Sequence, residues 1–302
     1  MKMTILQRDD DITHVVLIGR LDSTGTEEIR AEFSQATAAR ERPAIVDLSE
    51  VAFMASRGIG LLVVNGKKLL KGGHRMVLLN PQELVHSVLV TCGLENISPI
   101  ARDLDEAIQI LGGARGPSDT ASSPPTTSEN ESRPQRTEIE SAAPSVSEGE
   151  LKLAIKNELS ELEGLNANLA QFLEAHGVVA RPAYAVNLAI DELVVNVIRY
   201  AYVDDDTHMI DIELAIDTEQ IILRIEDDGR PFDPRRGPSL DLHAEDREVG
   251  GLGLLLVLDM VDVLKYRRVE ERNCVEVRVH LASQAEQGDP SNGEQSNVPE
   301  AG

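Results

Sequence analysis

Glu192 and Asn196 stand four residues apart in the apolar run "IDELVVNVIRYAY" of residues 190–202. The run is helix-forming, and Leu193, Val194, Val195, Val197 and Ile198 surround the pair. A solvated helix scatters its polar groups and a buried one avoids them, so a carboxylate and an amide one turn apart need a reason. Two further features stand later in the chain. In "EDDGRPFD" a strand runs into Asp227 and Gly229, and in "VGGLGLLLV" the residues Gly250, Gly251 and Gly253 open a helix. Singly, each has a bland reading: a satisfied surface pair, a solvated turn and a flexible turn. Together they suit a nucleotide. Glycines at a helix N-terminus let backbone N–H groups approach phosphate oxygens. Asp227 can accept from an exocyclic amine, with Gly229 leaving room for a flat base. Asn196 offers a neutral oxygen to a hard Mg²⁺ that keeps water and phosphate ligands. Glu192 sits where it could take a proton from an incoming hydroxyl.

The composition narrows the partners. With 52 acidic against 29 basic residues, the 302-residue chain carries a net charge of −23. Such a chain lacks the basic footprint that displaces counterions from nucleic acid, and it is equally unsuited to an anionic membrane surface. The start "MKMTILQRDDD" has no apolar leader core, and no run is long enough to cross a bilayer. Cys92 and Cys274 are far apart without metal-ligand spacing and read as reduced core thiols. A soluble, cytoplasmic protein is expected.

The elements that position these residues fall into two blocks. Residues 113–149 are rich in Ser, Thr, Pro and Glu and poor in large apolar side chains, as are residues 284–302. Neither stretch can offset its ordering entropy by burial, so a disordered linker and a disordered tail are expected. The first block, 1–112, alternates strand-like segments ("ITHVVLIGRLD", "PAIVDLSEVAF", "RMVLLN") with helical ones ("STGTEEIRAEFSQATAARE", "GIGLLVVNGKKLLKGG", "PQELVHSVLVTCGL"), the pattern of an α/β fold. In the second block, 150–283, the stretch from Leu151 to Gly177 reads as one long amphipathic helix, followed by the helix of Glu192. The strands "HMIDIELAID" and "EQIILRIEDDG", the glycine-led helix, and "KYRRVE" and "NCVEVRVHLA" complete an α+β block with a largely antiparallel sheet.

In this order the motifs resemble the GHKL (Bergerat) ATPase sandwich, and within it the anti-sigma factor serine kinases. The resemblance implies ATP and Mg²⁺ as cofactors. It makes Glu192 the base, Asn196 the metal ligand, and Asp227 the reader of adenine, with Gly229 beside it. Gly250, Gly251 and Gly253 fall on the phosphate side, and residues 233–248 become the ATP lid. Tyr200 stands where the family commonly has His, and Pro231 where a full D-x-G-x-G has its second glycine.

The first block carries a second resemblance. "DLSEVAFMASRGIGLLV" is similar to the phosphoacceptor turn of STAS-domain anti-sigma factor antagonists, with Phe53, Met54, Gly58 and Gly60 matching around Ser56, and "GRLD" resembles the family's G-E-L-D. The resemblance makes Ser56 the phosphoacceptor. Ala55 replaces the usual Asp, and Arg57 a small residue. From local chemistry alone, Ser56 is a natural N-cap for a helix beginning near Gly58, a reading compatible with the first.

Together the resemblances imply a fused partner-switching regulator, a GHKL-type protein serine kinase acting on a STAS-domain antagonist. Its own STAS half would be a cis substrate, a docking module or an inhibitor. The alternative is a non-catalytic ATP-binding anti-sigma factor that sequesters a sigma factor or STAS partner. A serine phosphatase and a second copy of the chain complete the expected partners, with neither nucleic acid nor membrane among them.

Overall fold

The computed structural model describes residues 1–6, 11–112, 148–236 and 251–281. The expected linker (but for residues 148 and 149), the expected tail, Gly250 and most of the expected lid lie outside these residues. Among the described residues no helix is long and apolar enough to cross a membrane.

The first block is built on a five-stranded sheet in the order β1 (Lys2–Leu6), β2 (Thr13–Leu21), β3 (Ala44–Met54), β4 (Met76–Leu79) and β5 (Ile100–Ala101). β1 pairs antiparallel with β2, and the remaining neighbours are parallel. Parallel strands need crossovers, and the helices α1 (Ser23–Ala36), α2 (Ser56–Lys71) and α3 (Glu83–Thr91) supply them. These pack on one face of the sheet, over Val15, Leu17, Val46 and Leu48. The last helix, α4 (Leu104–Gly112), covers the other face over Ile45, Val77 and Leu79. Adjacent β3 residues thus serve opposite layers, as the two-residue strand period requires. The α/β expectation holds, and β1 is an addition that the sequence reading left unassigned.

The second block has a fully antiparallel sheet in the order β6-β7-β8-β10-β9. Its strands are β6 (Gly149–Lys156), β7 (Met209–Ile216), β8 (Gln220–Asp227), β9 (Val263–Val269) and β10 (Arg272–His280). Three helices accompany it: α5 (Glu161–Ala175), α6 (Ala180–Tyr200) and α7 (Leu252–Met260). One expectation fails here. The single long helix from Leu151 is in fact a strand followed by a helix. Leu151, Leu153 and Ile155 recur every second residue and face inward along β6, whereas Leu162, Leu165, Leu169 and Leu173 keep the helical period. The two periods were merged across the break at 157–160.

β8 and β10 aim the site. Ile221, Leu223 and Ile225 point into the core from alternate positions of β8, and Asp227 is the next residue in that row. On β10, Val275, Val277 and Val279 face the same way, and Asn273 continues their row directly opposite Asp227. Two polar side chains thereby occupy core positions at one end of the sheet. α6 lies across that end, buried for most of its length, Asp191 and Glu192 included.

Candidate active site

A pocket opens between α6 and the ends of β8 and β10. Much of its wall is apolar (Leu193, Val197, Ile225 and Val275), and Asn196, Asp227 and Asn273, with Tyr200 and Arg230, supply polar groups. Asp227 is 3 % exposed. Its Oδ1 accepts from the Gly229 amide at 2.9 Å and from Asn273 Nδ2 at 2.7 Å. Burial raises its pKa, opposed by those two hydrogen bonds. The carboxyl is therefore held in one orientation, with Oδ1 engaged by the protein. Asn273 is fixed in turn: its Oδ1 accepts from Tyr266 Oη at 2.9 Å and Arg268 Nη1 at 2.8 Å. Sequence reading missed Asn273. The two-residue alternation of "NCVEVRV" was the available signal, because it places an amide on the core face of a strand.

Gly229 plays a different part from the one expected. A Cβ there would meet the Ala201 side chain at 2.5 Å and its carbonyl oxygen at 2.9 Å, so the space is filled by the C-terminal end of α6. Glycine lets the turn after β8 close on α6, with the Arg230 amide donating to the Ala201 carbonyl at 2.9 Å. At the other side of the site, Gly251 precedes α7 with φ of +90°, a conformation that glycine adopts without the Cβ penalty. Gly253, in the first turn of α7, lies so close to Glu192 that any Cβ would overlap the carboxylate. Glu192 and the glycine turn are thus in direct contact, and Asn196 stands one turn further along α6.

Glu192 is 8 % exposed, and its partner comes from the other block. Ser56 Oγ donates to Oε2 at 2.7 Å, and the Ser56 amide donates to Oε1 at 2.7 Å. Both carboxylate oxygens are therefore engaged by one residue 136 positions away. Burial raises the Glu192 pKa, while the two Ser56 hydrogen bonds and then the Arg57 charge act in the opposite sense. The Arg57 pKa is lowered, first by burial and then by the nearby Arg199 charge. These contacts correct the N-cap expectation. Ser56 is the first residue of α2, Ala55 occupies the cap position, and no side chain caps the helix there. The Ser56 hydroxyl instead reaches across to α6, and the carboxylate of Glu192 meets the positive end of α2.

Further contacts join the blocks along α6. Tyr184 Oη donates to the Met54 carbonyl at 2.8 Å and accepts from the Met54 amide at 3.1 Å. Its ring packs on Phe53 with centroids 4.7 Å apart. Apolar side chains from both sheets belong to one continuous buried cluster. The structure thus brings Ser56, Glu192, Gly253, Asn196 and Asp227 to one region, the first from the α/β block and the rest from the α+β block.

Two family models match separate stretches of the chain. Residues 4–107 match the family described as the STAS domain, and residues 155–279 match the histidine kinase-like ATPase domain. The serine/threonine-protein kinase BtrW of Bordetella bronchiseptica is 27 % identical over 108 residues, which cover 35 % of this chain and 76 % of that protein. The serine-protein kinase RsbW of Listeria monocytogenes serotype 4a is 27 % identical over 105 residues, covering 31 % of this chain and 67 % of that protein. Among solved structures, the anti-sigma factor antagonist SpoIIAA in its unphosphorylated form is 28 % identical and covers 37 % of this chain and 97 % of its own, with a TM-score of 0.32. On these matches the chain carries a STAS domain followed by a histidine kinase-like ATPase domain.

Proposed function

We propose that the chain is an ATP-dependent protein serine kinase that phosphorylates a STAS domain, and that its own Ser56 is an acceptor. The observation that carries this reading is the Ser56–Glu192 contact. A hydroxyl in the acceptor turn of one domain donates, at 2.7 Å, to the carboxylate that sequence reading named as the base of the other. That distance is within reach for general-base catalysis.

The pocket suits ATP. Asp227, locked by Asn273 and Gly229, presents a fixed carboxyl at the end of an apolar slot, as an exocyclic amine requires. Asn196 lines the same slot and would hold Mg²⁺. Gly251 and Gly253 start α7 against Glu192, where backbone N–H groups would receive phosphate oxygens. Bound Mg·ATP supplies the γ-phosphoryl group and neutralises its charge. Glu192 Oε2 takes the Ser56 Oγ proton as the oxygen forms its bond to phosphorus and the bond to the ADP oxygen breaks. The Ser56 amide on Oε1 keeps the carboxylate aimed during that transfer. Holding acceptor and base together removes the cost of bringing them into register, a large share of a phosphoryl-transfer barrier.

Incubation of the full chain with labelled Mg·ATP, with subsequent phosphosite mapping, tests the reading. Label on Ser56 at a rate per molecule independent of protein concentration identifies transfer in cis, and Asn196→Ala removes it. Label only on an added STAS partner leaves the kinase assignment standing and makes the fused STAS domain a docking module. ATP binding without any transfer favours the non-catalytic anti-sigma factor that sequesters its partner.

A further inference from the structure

Asp191, the neighbour of Glu192, touches neither Ser56 nor the pocket and has no part in the proposed chemistry. It is nonetheless 1 % exposed, deeper than Glu192 itself. Its Oδ2 accepts from Ser23 Oγ at 2.9 Å, and its Oδ1 from the Ser23 amide at 3.4 Å. Ser23 is the first residue of α1. Consecutive carboxylates on α6 therefore meet the first residues of two different STAS helices, Asp191 at α1 and Glu192 at α2. In both cases the hydroxyl and the amide of one serine donate to the carboxylate.

The surroundings of Ser23 are arranged around this contact. Asp22 caps α1 by accepting from the Gly25 amide at 2.9 Å, leaving the Ser23 amide to Asp191. Arg20 Nε donates to Asp22 at 3.0 Å, while its Nη2 reaches Asn187 Oδ1 of α6 at 3.4 Å. The same guanidinium lies 4.0 Å from the centre of the Phe53 ring, which packs on Tyr184. Arg20 thus offsets the negative charge of Asp22 beside Asp191, and the network runs unbroken to the turn that carries Ser56.

We propose that Asp191 is a positioning residue that reads Ser23 and selects, as substrate, a STAS domain whose first helix opens with a hydroxyl residue. This rests on the kinase reading for its consequence, although the docking contact itself does not. The Ser56–Glu192 and Met54–Tyr184 contacts both hold the STAS domain by the strand and turn that lead into α2, and leave the start of α1 to be fixed separately. A second anchor on the adjacent α6 residue fixes the rotation, so acceptor and base stay in register. The selection is chemical. An apolar residue in place of Ser23 leaves a carboxylate buried without its hydroxyl donor, which costs far more than a lost surface contact.

The test uses the full chain as wild type, Ser23→Ala, Ser23→Thr, Asp191→Asn and the double variant Ser23→Ala/Asp191→Asn. Docking is read as amide hydrogen exchange at Ser23 and Ser56, transfer as single-turnover labelling of Ser56, and nucleotide binding by calorimetry. Ser23→Ala is expected to lower the protection of both amides and the transfer rate roughly 10–100-fold, with ATP affinity unchanged. Ser23→Thr keeps the hydroxyl and restores both. The double variant is no worse than Ser23→Ala, because the two side chains act as one unit. Selection is read with a Ser56→Ala chain as kinase and an Asn196→Ala chain, with or without Ser23→Ala, as acceptor. The acceptor that keeps Ser23 is labelled at least about tenfold faster.

Wild-type protection and transfer in both Ser23→Ala and Asp191→Asn overturn the proposal. So does lost transfer in Asp191→Asn with protection intact, since Asp191 then acts in the chemistry. Lost protection in the variants of a chain that never labels Ser56 upholds the anchor and sinks the kinase reading instead.

Discussion

Replacing Glu192 by Gln separates its chemical part from its structural one. Gln keeps the length and volume of the side chain. Its amide oxygen can still accept from the Ser56 N–H, and its NH₂ can donate to Ser56 Oγ, so both 2.7 Å contacts retain a partner. The substitution removes a carboxylate whose charge burial disfavours, as its raised pKa records. Losing that charge offsets the loss of two charge-assisted bonds, and docking should change by no more than about 1 kcal/mol. The amide cannot take the Ser56 proton. Transfer to Ser56 should therefore fall roughly 10²–10⁴-fold, equivalent to about 3–5 kcal/mol on the barrier. Glu192→Ala is the poorer experiment, because it also strands the Ser56 amide and opens a gap beside Gly253. The assay is single-turnover labelling at saturating Mg·ATP with Ser56 mapped, alongside calorimetric ATP affinity and the exchange rate of the Ser56 amide. Wild-type transfer in Glu192→Gln refutes the base assignment and leaves Glu192 as an anchor only.

Asp227→Asn presents a mixture of donor and acceptor where an amine needs an acceptor, so ATP affinity measured by calorimetry should fall at least about tenfold while the thermal midpoint stays near wild type. Gly253→Ala puts a methyl group into the Glu192 carboxylate; labelling of Ser56 and protection of its amide should fall together, whereas a loss of nucleotide binding alone argues against the Gly253–Glu192 contact. Docking should also depend on pH through Asp191, whose pKa burial raises to about 7, with the Glu192 and Asp22 charges adding and the Ser23 bonds opposing. A carboxyl with its pKa raised in the docked state favours docking fully below its ordinary value and loses that contribution as pH rises towards 7. Ser56 amide protection should therefore fall from pH 5 to 8, by an amount bounded at roughly 4 kcal/mol. The Glu192 pKa, raised in the same sense, leaves the sign unchanged, and the Arg57 guanidinium keeps its charge over this range. An unchanged profile in wild type, or the same profile in Asp191→Asn, rules Asp191 out as the source.

Most of the site was legible because its residues break a local pattern. Asp227 ends an inward-facing strand row, Glu192 and Asn196 interrupt an apolar helix, and glycines cluster where a helix should begin. Each departure is visible within about ten residues. The features that stayed hidden depend on distant partners. Ser56 reads as an N-cap from its neighbours, and only Glu192, 136 residues away, draws its hydroxyl off the helix. Asp191 carried no signal of its own in the sequence, and its contact is with Ser23 of α1. Asn273 gains meaning from its register against Asp227, which a single strand cannot disclose. The long-helix error over 151–177 has the opposite cause. Leucines at both spacings adjoin there, and the short segment "NELS" between them carries no Gly or Pro to mark the change of period.

If Ser56 is phosphorylated as proposed, the docked arrangement also bears on release of the product. Two carboxylates are buried side by side on α6, and their pKa values are raised. This is tolerable because each meets a serine at the positive end of a STAS helix, with hydroxyl and amide both donating. In the proposed reaction Glu192 takes the Ser56 proton and is neutral while the new phosphoester forms. Once that proton leaves, a group of charge about −1.5 to −2 replaces the donor hydroxyl against a buried carboxylate. For unit charges 4 Å apart, repulsion is of order 4 kcal/mol at an effective dielectric of 20, comparable with the two Ser56 hydrogen bonds that held the domain. The contact that positions the acceptor thus becomes the one that expels the product. Asp191 and Ser23 gain no charge in the reaction and keep their attraction, so the STAS domain should swing away at α2 before it parts at α1. In a wild-type chain phosphorylated to completion, the Ser56 amide should lose exchange protection while the Ser23 amide retains more of it. Equal loss at both positions would show that the two anchors release as one.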